Sequence, residues 1–141
     1  MHVTPCQRTA KETAKLVSEH KDKTILIIDD EEMIRTMASN MLEEIGYKTV
    51  TADSGIRALQ MLSDINEEVD GVLLDYTMPD YTGEEVFIEI KRHYPGLTVV
   101  MGSGFVGEQT MERLQSYGLE YFQAKPYNMS QLRDIFETAL K

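Results

Sequence analysis

Cysteine, positive charge and long apolar runs are all scarce in this sequence, and each shortage excludes a class of protein. The one cysteine, Cys6, cannot form a disulfide within the chain, which is typical of a reducing compartment. No apolar stretch approaches the ~20 residues that span a bilayer. The N-terminus also lacks the apolar core of a signal peptide. We therefore expect a soluble, cytoplasmic protein with no membrane partner.

Basic residues are outnumbered, with 14 Lys and Arg against 24 Asp and Glu and a formal net charge of −10. Residues 1–23 hold five of the basic and three of the acidic side chains, so the remainder is more acidic still. Nucleic acids and anionic membranes bind through clustered Lys and Arg. The charge therefore argues against a nucleic-acid partner and suits a protein that binds divalent cations.

The chain divides into a polar leader and one regular unit. A length of 141 residues suits one domain. We interpret residues 1–23 as a leader or linker, in which Thr9 and Glu12 form a capping box that can begin a short helix over about 10–20. The periodic pattern that predicts a domain covers residues 24–141.

Within 24–141, short β-rich apolar runs alternate with amphipathic helical segments. Gly46 follows the first helical segment as a C-cap, Ser54 precedes the second as an N-cap, and a loop with Pro79 and Gly83 leads into the third. Five strands alternating with five helices predict an α/β fold with a doubly wound parallel sheet and helices on both faces. The predicted strands are Thr24–Ile28, Lys48–Thr51, Val72–Leu74, Leu97–Met101 and Glu120–Ala124.

Reactive side chains stand where the predicted strands end. The first strand leads into Asp29 and Asp30, the third into Asp75, the fourth into Ser103 and the fifth into Lys125. Ligands of such sheets bind beyond the carboxyl ends of the strands, so we expect these five side chains to form one pocket. Singly, each has an ordinary explanation as a helix cap or a turn residue. Four strand ends bearing such groups together favour a functional site.

These groups together suit phosphoryl transfer. Three carboxylates repel one another unless a hard cation lies among them, and oxygen ligands favour Mg2+, with Mn2+ able to substitute. Lys125 can offset the charge of a phosphate, and the Ser103 hydroxyl can donate to a phosphoryl oxygen. A carboxylate in this setting can accept a phosphoryl group.

The sequence resembles the response-regulator receiver domains, and the resemblance spans residues 24–141. It implies the flavodoxin-like strand order 2-1-3-4-5, a phosphorylation switch in a two-component phosphorelay, and a histidine kinase or histidine phosphotransfer protein as the phosphodonor. The matching segments are Ile27-Ile28-Asp29-Asp30-Glu31-Glu32, Leu74-Asp75-Tyr76-Thr77-Met78-Pro79-Asp80-Tyr81-Thr82-Gly83, Met101-Gly102-Ser103-Gly104 and Phe122-Gln123-Ala124-Lys125-Pro126-Tyr127.

The resemblance also implies roles for single residues. Asp75 matches the phosphoacceptor, Asp30 and Asp75 match direct metal ligands, Asp29 acts largely through water, and the Thr77 main-chain carbonyl supplies a further ligand. Ser103 matches the switch hydroxyl, Lys125 the phosphate-binding lysine, and Pro126 a proline that follows a cis peptide bond. Phe122 matches the aromatic residue whose ring turns inward as the switch hydroxyl moves.

Through such a switch, the surface of the fourth helix, fifth strand and fifth helix is expected to meet a downstream protein. Such a domain catalyses only its own phosphorylation and dephosphorylation.

Three alternatives and one open choice remain. An aspartyl-phosphate phosphatase wants an acid two residues after its nucleophile, where this chain has Thr77. A receiver that only binds partners, without phosphorylation, is a second alternative. Flavin or dinucleotide binding is disfavoured because the first strand leads into acids rather than a glycine-rich loop. The Ser103-Gly104-Phe105 run and Tyr127 resemble receivers at the C-terminus of hybrid sensor kinases, although a free-standing regulator fits equally well.

Overall fold

The computed structural model describes residues 22–78 and 81–141. They form one five-stranded parallel sheet in the order β2-β1-β3-β4-β5, which confirms the expected flavodoxin-like topology. The short helix expected near 10–20 lies outside the described residues. The strands are β1 (Thr24–Ile28), β2 (Lys48–Ala52), β3 (Gly71–Asp75), β4 (Thr98–Ser103) and β5 (Tyr121–Ala124).

Within residues 22–78 and 81–141, five α-helices cover the two faces of the sheet, as expected, and a short 3-10 helix, Asn66–Glu68, follows the second of them. In the described part of the chain, no helix is long and apolar enough to cross a membrane. The α-helices are α1 (Glu32–Ile45), α2 (Gly55–Ile65), α3 (Gly83–His93), α4 (Glu108–Ser116) and α5 (Met129–Ala139).

Alternate residues of the central strands supply two separate cores, because successive side chains of a strand point to opposite faces. Leu26 and Ile28 of β1 pack with α2, α3 and α4 in the first core. Ile25 and Ile27 pack with α1 and α5 in the second core. A strand buried on both faces needs a continuous apolar run, which explains the composition of β1 and β3.

Helix ends lie close to the predicted positions, with one correction. Gly46 ends α1 with a φ of 123°, which favours glycine, and the Ser54 hydroxyl accepts a hydrogen bond from the Arg57 N–H at the start of α2. The sequence pattern predicts Gly83 in the loop, but Gly83 is the first residue of α3. A side chain at 83 would collide with the main chain of Asp75 and Tyr76, so glycine allows α3 to begin against the end of β3.

Candidate functional site

Three carboxylates meet where β1 and β3 end, as the sequence predicted. Ligand oxygens of Asp29, Asp30 and Asp75 all lie within 4.8 Å of one another. Asp29 and Asp75 are buried, with 2% and 3% of their surface exposed, whereas Asp30 is exposed at the rim. Parallel strands bring their carboxyl ends to one edge of a sheet, so residues 46 positions apart in sequence become neighbours here.

Lys125 lies between the two buried carboxylates. Its Nζ atom is 2.8 Å from Asp29 Oδ2 and 3.1 Å from Asp75 Oδ1. Burial alone would lower the pKa of Lys125, but the hydrogen bond to Asp29 and the charges of both carboxylates raise it above its ordinary value. The Lys125–Pro126 peptide bond is cis, as the resemblance implies. The pocket therefore contains a permanent cation that binds two anions.

One cation does not balance the charge at Asp75. Burial and the neighbouring Asp29 raise the pKa of Asp75 to about 6, although Lys125 and the Thr77 N–H both act to lower it. The Thr77 N–H donates to Asp75 Oδ1 over 3.1 Å. A group that brings further positive charge to Asp75 would be bound favourably.

The hydrogen bonds differ among the three carboxylates. Both oxygens of Asp29 accept, Oδ1 from the Glu31 N–H at 2.9 Å and Oδ2 from Lys125. No residue of 22–78 or 81–141 donates a hydrogen bond to Asp30 or to Asp75 Oδ2. Asp30 and Asp75 thus have open oxygen atoms, while those of Asp29 are engaged. This arrangement of oxygen donors fits a small hard divalent cation such as Mg2+.

Ser103 ends β4 but its hydroxyl is engaged within its own loop. It donates to the Phe105 carbonyl at 3.1 Å and accepts from the Phe105 N–H at 3.3 Å. The Phe105 side chain is 84% exposed, and Phe122 of β5 is half-buried against the first core. Ser103 and Phe122 lie on the neighbouring strands β4 and β5.

The sequence indicates no role for one buried side chain beside this pocket. Tyr127, two residues after Lys125, is buried in the second core with its hydroxyl against Gly102. Its only sequence signal is its position in the segment that contains Lys125 and Pro126.

Comparison with known proteins agrees with this fold and site. The response regulator receiver domain family matches residues 25–137. Sensor kinase CckA of Brucella abortus is 27% identical over 97% of this chain, and regulatory protein AtoC of Escherichia coli is 31% identical over 83%. The chain spans only 14% and 25% of those two proteins.

A solved structure shows the same architecture. The receiver domain of NtrX from Brucella abortus is 31% identical to this chain and superposes with a TM-score of 0.74. The match covers 82% of this chain and 97% of the NtrX receiver chain. Sequence, topology and the acidic pocket at the strand ends agree. The chain belongs to the response regulator receiver domain family of two-component signalling.

Proposed function

We propose that Asp75 accepts a phosphoryl group from a phosphohistidine, with Mg2+ as the cofactor and Mn2+ able to substitute. The donor is a histidine kinase or a histidine phosphotransfer protein. The observation that carries this proposal is Lys125, whose ammonium contacts Asp75 and Asp29 beside the open oxygen of Asp75. A lysine so placed can offset the charge of an arriving phosphoryl group.

The transfer exchanges one bond to phosphorus for another. An oxygen of Asp75 attacks the phosphorus, the N–P bond of phosphohistidine breaks, and the imidazole leaves with the electron pair and takes up a proton. Asp30, Asp75 and the Thr77 carbonyl would hold the cation directly, with Asp29 acting through water. When bound, the cation offsets the negative charge of the phosphoryl oxygens. Lys125 keeps its contact with Asp29 while it turns toward the phosphoryl group.

Ser103 and Phe122 would convert phosphorylation into a change of surface. A phosphoryl oxygen on Asp75 offers the Ser103 hydroxyl a charged acceptor in place of the Phe105 carbonyl, and charged acceptors form the stronger hydrogen bond. As Ser103 moves, Phe122 turns inward and the surface formed by α4, β5 and α5 changes. A downstream protein, rather than a nucleic acid or a membrane, reads that surface.

The unit that performs this function is residues 24–141, with 1–23 as a leader or linker, in the cytoplasm. Receiver domains are signalling domains, and we expect this one to act only on its own phosphorylation and dephosphorylation. Thr77 stands where an aspartyl-phosphate phosphatase wants a second acid, which supports this assignment over a phosphatase.

Intact-mass analysis after incubation with phosphoramidate and Mg2+ tests the proposal. We expect the parent protein to gain one phosphoryl group and Asp75→Asn to gain none, because the amide cannot act as the nucleophile. Asp134→Asn, at an exposed position of α5, is the matched control and should label fully. An unlabelled parent would favour a phosphorylation-independent binding module, and a labelled Asp75→Asn would move the acceptor elsewhere.

A further inference from the structure

Tyr127 lies on the same face of the sheet as the buried carboxylates. Ile27 of β1 and Leu73 of β3 belong to the second core, and Asp29 and Asp75 each follow two residues later. Side chains two apart in a strand share a face. The ring of Tyr127 packs in that same core. Tyr127 therefore lies at the boundary between the apolar second core and the acidic pocket.

The phenol of Tyr127 contacts the main chain of Gly102 closely. A methyl group built on Gly102 would overlap the Tyr127 hydroxyl and would lie only 2.8 Å from Cζ and 3.1 Å from Cε1. Gly102 is paired in register with Asp75, and its carbonyl accepts a hydrogen bond from the Tyr76 N–H at 2.9 Å. The ring of Tyr127 thus packs directly on the strand residue that is paired with Asp75.

The charges of the same two acids act on the Tyr127 hydroxyl. Burial raises the pKa of Tyr127, and the charges of Asp29 and Asp75 raise it further. The hydroxyl therefore stays protonated and neutral. No residue of 22–78 or 81–141 forms a hydrogen bond with it, so packing on Gly102 rather than a polar partner holds the ring in place.

Two contacts therefore hold the main chain that carries Lys125. On one side, the Lys125 N–H donates to the Ser103 carbonyl over 2.9 Å. Two residues later, the buried ring of Tyr127 packs against Gly102 on one side and the rest of the second core on the other. The side chain of Lys125 reaches Asp29 and Asp75 from the backbone segment that lies between these two contacts.

We propose that Tyr127 is a positioning residue for phosphoryl transfer, because its ring, seated on Gly102, holds Lys125 between Asp29 and Asp75. This inference rests on the function proposed above. It predicts that loss of the Tyr127 ring slows phosphorylation of Asp75, whereas loss of the hydroxyl alone does not. It also predicts that the ring acts through Lys125 rather than directly on the phosphoryl group.

A double-mutant cycle tests this with phosphoramidate and Mg2+ as the probe. We expect Tyr127→Leu to slow phosphorylation by on the order of tenfold, a modest loss for a displaced catalytic group. In a Lys125→Ala background, Tyr127→Leu should have no further effect on the rate, because the group it positions is gone. Tyr127→Phe keeps the ring and should label like the parent.

Tyr47→Leu is the matched control for loss of a buried tyrosine. Tyr47 belongs to the same core and lies 6.1 Å, ring to ring, from Phe136, but it precedes β2 at the opposite edge of the sheet. Thermal melts should show both Leu variants destabilised, whereas phosphorylation at a temperature where each is folded should slow only for Tyr127→Leu.

Gly102→Ala perturbs the same contact by changing Gly102 instead of Tyr127. The added methyl should displace the ring and slow phosphorylation, and combination with Tyr127→Phe should restore part of the rate, because the overlapping hydroxyl is removed. This pair keeps the inference testable if Tyr127→Leu does not fold.

Three results would overturn the inference: equal slowing by Tyr127→Leu with and without Lys125, equal slowing by Tyr127→Phe, or no restoration in the Gly102 pair. An unlabelled parent would instead refute the proposed function, and with it any role in phosphoryl transfer.

Discussion

Asp75→Asn should stabilise the protein in the absence of divalent cations, and the gain should depend on pH. Burial and Asp29 raise the pKa of Asp75 from 3.8 to about 6. Below pH 3.8, the carboxyl is protonated in both the folded and the unfolded chain, so it costs nothing. Between 3.8 and 6, the unfolded chain loses its proton first, and above pH 6 the folded state bears the full cost of ionisation. The difference corresponds to roughly 3 kcal/mol.

Asparagine resembles the protonated carboxyl and removes this cost. Its side chain keeps the size of aspartate and can still accept a hydrogen bond from Thr77, and the attraction of Lys125 for the carboxylate is already contained in the pKa of about 6. Because solvent screens part of the cost, we expect a gain above pH 7 of about 1–2 kcal/mol in the free energy of unfolding. For a domain of this size, this is very roughly 3–10 °C in Tm.

Thermal melts in chelator at pH 5, 6, 7 and 8 measure this directly. The advantage of Asp75→Asn over the parent should be full at pH 7 and 8 and reduced to about half at pH 5, because the parent carboxyl regains its proton in the folded state. Asp134→Asn, whose side chain is 73% exposed, should show no such trend. A variant less stable than the parent at pH 8, or an advantage that does not shrink toward pH 5, would refute the reasoning.

Three further predictions concern the metal, the switch and one ion pair. Asp30→Asn should melt no lower than the parent in chelator and gain little from Mg2+, whereas the parent should gain about 1.4 kcal/mol at roughly tenfold excess over Kd; equal gains would place the cation elsewhere. Ser103→Ala should still be labelled, yet amide exchange over α4, β5 and α5 should change less on phosphorylation than in the parent. Glu84 binds Arg113 through two contacts of 2.7 and 2.8 Å that join α3 to α4, so Glu84→Gln should speed amide exchange in α4. Glu89→Gln, which removes ion pairs within α3 alone, is its control and should not.

Local patterns in the sequence determined the elements and the edge of the sheet that carries the site. The apolar run Thr24–Ile28 predicts a buried strand because such a strand has no solvent-facing side, and β1 has those bounds. Since parallel strands end at one edge, Asp29, Asp75 and Lys125 could be expected together before any contact was known. The strand order itself came from resemblance, because periodicity says which face is buried but not which strands are neighbours.

The start of a helix was less predictable where a glycine lies next to a capping residue, as at Thr82 and Gly83. The sequence predicts a loop containing Pro79 and Gly83, yet Gly83 begins α3 after a capping box formed by Thr82 and Glu85. The decisive fact is the close approach of residue 83 to the main chain of Asp75 and Tyr76. That approach depends on how α3 packs against β3, which lies outside any local window of sequence.

Contacts between distant parts of the chain were decided by tertiary structure alone. The sequence places Lys125 at the end of a strand, but only packing brings its ammonium to Asp29 and Asp75. It places Tyr127 two residues after Lys125, but only the pairing of β4 with β5 brings Gly102 near the segment that contains the ring. Such contacts join residues from elements distant in sequence, and a displacement of about 1 Å between those elements would make or break them. Local preferences cannot specify distances that fine, because the packing of the whole domain sets them.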